Sequence, residues 1–194
     1  VELPDIDPVE QVLAAGQLLE QTGDVEERRL AGAGRTGHRD ALALADLATI
    51  GTVADVAPVV GENRAIARLG LERLRTAPRP GIAALLERAR VAPAAVDLET
   101  VSFALAPRLN AAGRVGEAME AARLLLAEDA VAAGTHADAL EVANAERRDL
   151  MKAAIAEARV MVADAPDAPD APATLVHGPW GVGIVGLVAA RLAE

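Results

Sequence analysis

Cysteine and tyrosine are absent, and the 194 residues include one Phe and one Trp. The lack of thiols excludes disulfide scaffolds, thiolate zinc sites and cysteine nucleophiles. The near-absence of aromatics leaves the core to small aliphatic side chains. Forty-six residues are Ala, the strongest helix former and a poor strand residue, which argues against an all-β sandwich or barrel and for close-packed helices. No apolar run is long enough to span a membrane. The opening segment VELPDIDPVEQ is acidic, carries no signal-peptide pattern and lacks Met. It reads as part of a soluble cytoplasmic protein, and as a piece cut from something longer. A chain of this size can bury about 70% of its unfolded surface, so one large domain, or one and a half small ones, is expected.

The charge is unevenly spread. The net value of −10 argues, as a mean, against a nucleic-acid binder. Residues 1–34 and 115–172 carry the acidic excess, at −6 and −7, whereas residues 64–90 hold seven Arg against Glu72 and Glu87. That basic island is either a solvated helix face or a surface for an anionic partner.

Periodicity and caps predict helices throughout. Asp7-Pro8 opens one through about Gln21, Arg39–Ile50 forms a second, and Glu62–Arg75 a third with Ile66, Leu69 and Leu74 on one stripe. Gly81–Arg90 follows Pro80; Asp97 caps a helix through Leu105; Glu117–Ala127 is the next. A long helix is expected from His136 to Val162. Its narrow seam of Leu140, Ala143, Arg147, Leu150, Ala154, Ala158 and Met161 suits contact on one side only. The run ADAPDAPDAPA, residues 163–173, places Pro at every third position and reads as an extended spacer. Beyond it TLVHG, residues 174–178, is a strand candidate and VGIVGLVAARLAE a helix candidate.

Three segments could carry chemistry. In DLATIGTVADVAPVVGENR (46–64), Asp55 follows an apolar run; such a carboxylate can ligate a hard divalent cation or simply end an element. In FALAPRLNAAGRVGEAMEAARLLL (103–126), a helix is expected to stop near Pro107, leaving Arg108, Asn110 and Arg114 on a loop before the next helix. Two arginine forks and an amide at a helix start suit a phosphate; the alternative is a surface loop turning at Gly113. GVGIVG (181–186) matches a dinucleotide fingerprint in letters. However, Pro179-Trp180 separate it from the strand candidate, so close packing of a small-residue helix is the favoured reading, with Trp180 as a local anchor. His38, His136 and His177 form no metal-ligand spacing, and Ser102 lies within a helix.

Taken in order, GTVADV, GENRAIARLGLERLR, RPGIAALLERA, FALAPRLNAAGR and a long helix containing EVANAERRDL resemble RecJ-type single-stranded-DNA exonucleases of the DHH phosphoesterase superfamily. The resemblance covers about residues 46–162 and continues through VGIVGLVAARL; PRLNAAGR is its most specific block. It implies a mainly α chain, comprising the helical C-terminal part of an α/β DHH domain (1–114, with 1–29 unplaced), a helical connector (115–163), a Pro/Asp/Ala linker (164–173) and the start of an α/β DHHA1 domain (174–194). In such enzymes two Mn²⁺ or Mg²⁺ ions activate water for phosphodiester hydrolysis. By that pattern Asp55 matches a metal-ligating Asp, and Arg114 an arginine that holds substrate phosphate, supported by Arg108 and Asn110. The Arg-rich 64–90 segment would steer single-stranded DNA, with recombination or replication proteins as further partners.

The Asp-His-His motif that names the superfamily is absent, and Trp180 precedes Gly181-Val182 where relatives carry His-Pro-Gly. One Asp cannot hold two divalent cations, so this chain alone is expected to be inactive as a nuclease. A non-catalytic RecJ-like scaffold and a DHH–DHHA1 phosphodiesterase for short RNA or cyclic dinucleotides are the alternative readings.

Overall fold

The computed structural model describes residues 43–163 and 173–193. The helix expected over 7–21 and nearly all of the proline spacer fall outside them. Every regular element among the described residues is helical. They are α1 (Ala45–Ala54), α2 (Gly61–Thr76), α3 (Pro80–Ala89), a 3₁₀ turn (Pro93–Ala95), α4 (Leu98–Thr100), a π-helical turn (Val101–Leu105), α5 (Ala106–Val115), α6 (Met119–Leu125), α7 (Ala130–Ala163) and α8 (Val182–Leu192). The chain divides into two compact units between Pro107 and Arg108.

In the first unit α1 packs along α2, and α3 and α1 both meet the π-helical turn. The core consists of aliphatic side chains, among them Ile66, Leu74, Ile82, Leu85, Leu86, Val96, Val101 and Leu105. Phe103 is 77% exposed, so this core contains no aromatic ring. The close approach of α1 and α2 depends on Gly70. A Cβ there would lie 1.9 Å from Thr49 Oγ1 and 2.3 Å from the Ala45 carbonyl oxygen. Thr49, fully buried, donates its hydroxyl to the Ile66 carbonyl at 3.0 Å, which satisfies the polar group the packing encloses. Asp46 is also fully buried. Arg79 Nε meets its Oδ2 at 2.8 Å, while Arg79 Nη2 reaches the Ala43 carbonyl at 2.6 Å. The arginine thereby ties the start of α3 to α1.

Two helix ends use the left-handed C-terminal motif without glycine. After α1, Val56 has φ 55°; its N–H bonds the Val53 carbonyl, and that of Ala57 bonds Thr52. After α3, Arg90 at φ 57° and Val91 bond Glu87 and Leu86 in the same pattern. Both are Schellman closures, which glycine ordinarily fills. Asp97 caps α4 as expected, accepting from the Thr100 N–H at 2.7 Å.

In the second unit α7 packs against α6 and α8. Asp129 Oδ1 accepts from the N–H groups of Val131 and Ala132, so α7 begins well before His136. Along the expected seam Leu140, Ala154 and Ala158 are buried, but Leu150 and Met161 are exposed, and Asn144 is buried in place of Ala143. Ala154 and Ala158 pack with Ile184 and Val188 of α8, and Trp180 covers this cluster. Its indole N–H donates to Glu157 Oε2 at 2.8 Å, the anchoring expected of it. The strand expected at 174–178 is not formed. Residues 173–181 have no regular structure, and there is no strand among the described residues to pair with. No described helix is long and apolar enough to cross a membrane.

Candidate nucleic-acid interface

The PRLNAAGR segment is helical, not a loop. The π-helical turn explains why Pro107 fails to break it. The Ala106 N–H bonds back to Val101, five residues away, so the hydrogen-bond ladder is already widened where the proline, lacking an N–H, enters. Sequence periodicity gives no warning of that widening. Ser102 donates its hydroxyl to Leu98 within the same turn.

The helix sorts the three expected phosphate-binding residues. Asn110 and Arg114 are four positions apart, share one face of α5 and are exposed. Arg108 points elsewhere: its Nε meets Glu141 Oε2 of α7 at 2.6 Å, with only 13% of the side chain exposed. It braces α5 against α7. Arg114 Nη1 donates to the Gly183 carbonyl at 2.9 Å. Gly183 also has to be glycine, because a Cβ would stand 2.1 Å from the Arg114 carbonyl oxygen. By contrast, Gly181 and Gly186 have open space at that position. The GVGIVG run is thus a packing device that brings α8 against the end of α5.

Asp55 lies in the first unit. It is the exposed C-cap of α1, and its N–H bonds the Gly51 carbonyl. It is followed by Val56, a β-branched residue held at positive φ and 87% exposed. That conformation costs about 1–2 kcal/mol, and strain of this kind clusters at functional sites. Among the described residues no three His, Asp or Glu side chains converge as metal ligands. The donors described therefore do not fit a divalent-ion centre, which needs several oxygens per ion. His136 instead pairs through Nδ1 with Glu120 Oε2 at 2.9 Å. That contact and the neighbouring Arg123 hold the Glu120 carboxyl below its usual range.

The Arg-rich island divides. Arg75 donates to the Val96 carbonyl and Arg79 to Asp46, both structural roles, while Arg64 and Arg90 are exposed. Sequence reasoning placed Arg147 on the seam of α7 without giving it a role, and passed over Asn144, which is buried beside it. Their Asn-x-x-Arg spacing, one helical turn, was the available signal.

Every regular element among the described residues is helical, and α5 exposes an amide, Asn110, and a guanidinium, Arg114, on one face, a pairing whose N–H donors are chemically suited to an anion. Known proteins specify it further. The chain is 40% identical over 151 residues to the single-stranded-DNA-specific exonuclease RecJ of Bacillus subtilis, covering 78% of this chain and 19% of that protein. It is 40% identical over 160 residues to RecJ of Thermus thermophilus, covering 82% and 23%. A crystal structure of exonuclease RecJ bound to manganese aligns with a TM-score of 0.67 at 39% identity, over 78% of this chain and 37% of that one. RecJ of Thermus thermophilus in complex with Mn²⁺ aligns at 0.68 and 38% identity, over 79% and 22%. No family model matches. Over most of its length the chain is similar to one segment of RecJ. It spans about a fifth of the length of these curated relatives.

Proposed function

We propose that the chain is the phosphate-holding helical part of a metal-dependent 5′→3′ single-stranded-DNA exonuclease that hydrolyses phosphodiester bonds in recombination and repair. One observation carries the reading. A match covering 78% of the chain must span its middle, and that stretch presents Asn110 and Arg114 side by side and exposed on α5. The named activity of the relatives and the Mn²⁺ and Mg²⁺ in their structures support the metal dependence.

In this reading Arg114, steadied by the Gly183 carbonyl, offers its remaining N–H groups to a backbone phosphate, and Asn110 supplies an amide one turn away. Arg108 does not touch substrate; its pairing with Glu141 keeps α5 in place. Asp55 contributes one carboxylate toward a metal. The donors among the described residues do not complete that metal's site. The chain by itself is therefore inactive and binds single strands through their phosphates.

The test is binding of a 5′-phosphorylated oligodeoxynucleotide by fluorescence anisotropy, with a digestion assay in Mn²⁺ alongside. Arg114→Ala weakens binding roughly tenfold, the value of a charge-assisted hydrogen bond. No cleavage occurs with the chain alone. Equal affinity of wild type and variant refutes the phosphate role of Arg114, and Mn²⁺-dependent digestion refutes the inactivity.

A further inference from the structure

The C-terminal half of α7 sorts its charges by side. Arg148, Lys152 and Arg159 are all exposed. At the helical period they fall within about 40° of one another, in a row about 16 Å long. The acids of the same stretch, Glu146, Asp149 and Glu157, are exposed too, but they lie about 60° or more away around the helix. Ala154 and Ala158 occupy the side that α8 covers. The three cations therefore hold an edge of their own, and the residues next to it on the solvent side are the small Ala145 and Ala156.

The row has no counter-charge. Arg79, Arg88, Arg108 and Arg123 each meet a carboxylate. Among the described residues no carboxylate pairs with Arg148, Lys152 or Arg159. Glu157, the acid nearest Arg159 in the chain, accepts from the Trp180 indole N–H at 2.8 Å. Like charges four residues apart weaken a helix, whereas opposite charges at that spacing support it. Arg148 and Lys152 stand four apart and are alike, so the row is unfavourable for the helix by itself. A ligand relieves it when its negative charges repeat along the row. A lone anion meets one cation and leaves the others. A phosphodiester backbone carries one charge per nucleotide, and it releases condensed counter-ions as protein cations replace them.

We propose that Arg148, Lys152 and Arg159 form a contact surface on α7 for the backbone phosphates of a single nucleic-acid strand, additional to the contact made by Arg114 on α5. That the strand is DNA rests on the function proposed above; the surface itself rests on the shared edge of the three cations and their missing counter-charges.

Oligothymidylate and inorganic polyphosphate, each titrated at several salt concentrations, separate these claims. In the chain carrying Arg148→Gln, Lys152→Gln and Arg159→Gln, the slope of log affinity against log salt for oligothymidylate falls by about 2, at about 0.7 for each phosphate contact on a single strand. Lys152→Gln alone lowers it by about 0.7. Arg148→Lys with Arg159→Lys keeps the wild-type slope, because the row acts through charge. Glu146→Gln with Asp149→Asn, on the acidic side of α7, also keeps it. All these positions are exposed, and circular dichroism confirms that each variant is folded. A wild-type slope in the triple variant, with both probes, overturns the surface; if Arg114→Ala still weakens oligothymidylate binding in that case, the proposed function stands without it. Polyphosphate binding that the triple variant loses, with no oligothymidylate binding by the wild type, upholds the surface and refutes the DNA reading. Polyglutamate bound more tightly than oligothymidylate, and released by the triple variant, overturns the proposal in favour of an acidic protein partner.

Discussion

Replacing Gly70 with Ala sets two effects of opposite sign against each other. In a helix interior alanine is favoured over glycine by about 1 kcal/mol, so propensity alone predicts stabilisation. The packing predicts the reverse. The new methyl would stand 1.9 Å from Thr49 Oγ1 and 2.3 Å from the Ala45 carbonyl oxygen. Thr49 can rotate, but only by giving up its 3.0 Å bond to Ile66. A buried hydroxyl without a partner costs about 1–3 kcal/mol. The Ala45 carbonyl belongs to backbone and yields only if α1 moves, an overpacking cost of about 1–3 kcal/mol. The clash therefore wins, and Gly70→Ala destabilises the chain by about 1–5 kcal/mol after the propensity gain is subtracted. Gly51→Ala is the matched control. It lies in α1, and a Cβ there meets nothing within 4 Å. The substitution stabilises by up to about 1 kcal/mol. Urea unfolding followed by circular dichroism measures both. If Gly70→Ala is as stable as Gly51→Ala, the α1–α2 contact is not limited by glycine and the packing argument fails.

Four further outcomes follow from the same geometry. Arg79→Ala strands the fully buried Asp46 carboxylate and costs about 3–5 kcal/mol; Asp46→Ala costs less, because Arg79 is 28% exposed and reaches water. Urea midpoints in that order test it. Val56→Gly relieves a left-handed β-branched residue and raises stability by about 1 kcal/mol; an unchanged melting temperature refutes the strain. The Thr100 backbone N–H and hydroxyl lower the Asp97 carboxyl from its ordinary 3.8. Its capping contribution is therefore complete above that pH and lost as pH falls through the lower folded value, so Asp97→Asn flattens the acid limb of a stability-against-pH curve. Gly183→Ala, which collides with the Arg114 backbone, weakens oligonucleotide binding without removing any charged group; binding equal to wild type refutes the positioning role of α8.

Composition and spacing were sufficient for the helical class and for most elements. Gly61–Thr76 and Pro80–Ala89 fall within a residue of expectation, because a strong stripe in one case and Pro at the first turn in the other are local signals. The start of α7 at Ala130 precedes the expected His136, because its cap, Asp129, lies N-terminal to the apolar stripe. The family was legible as well, because ordered motifs are a one-dimensional property.

The candidate site was legible only as a set of residue types. Sequence placed Arg108, Asn110 and Arg114 together on a loop. A π-helical turn absorbed Pro107 and made the segment helical, which turned Arg108 toward Glu141 and left Asn110 and Arg114 exposed on one face. The same holds for Arg147, whose meaning depends on what surrounds its guanidinium. Helical period and chain composition are local properties of the sequence, and so the sequence by itself determined the class, most of the elements and the kinship of this protein. Which cation meets a carboxylate, which stays exposed and which glycine lets two backbones meet depend on neighbours far away in the chain. Those were decided by the tertiary structure alone.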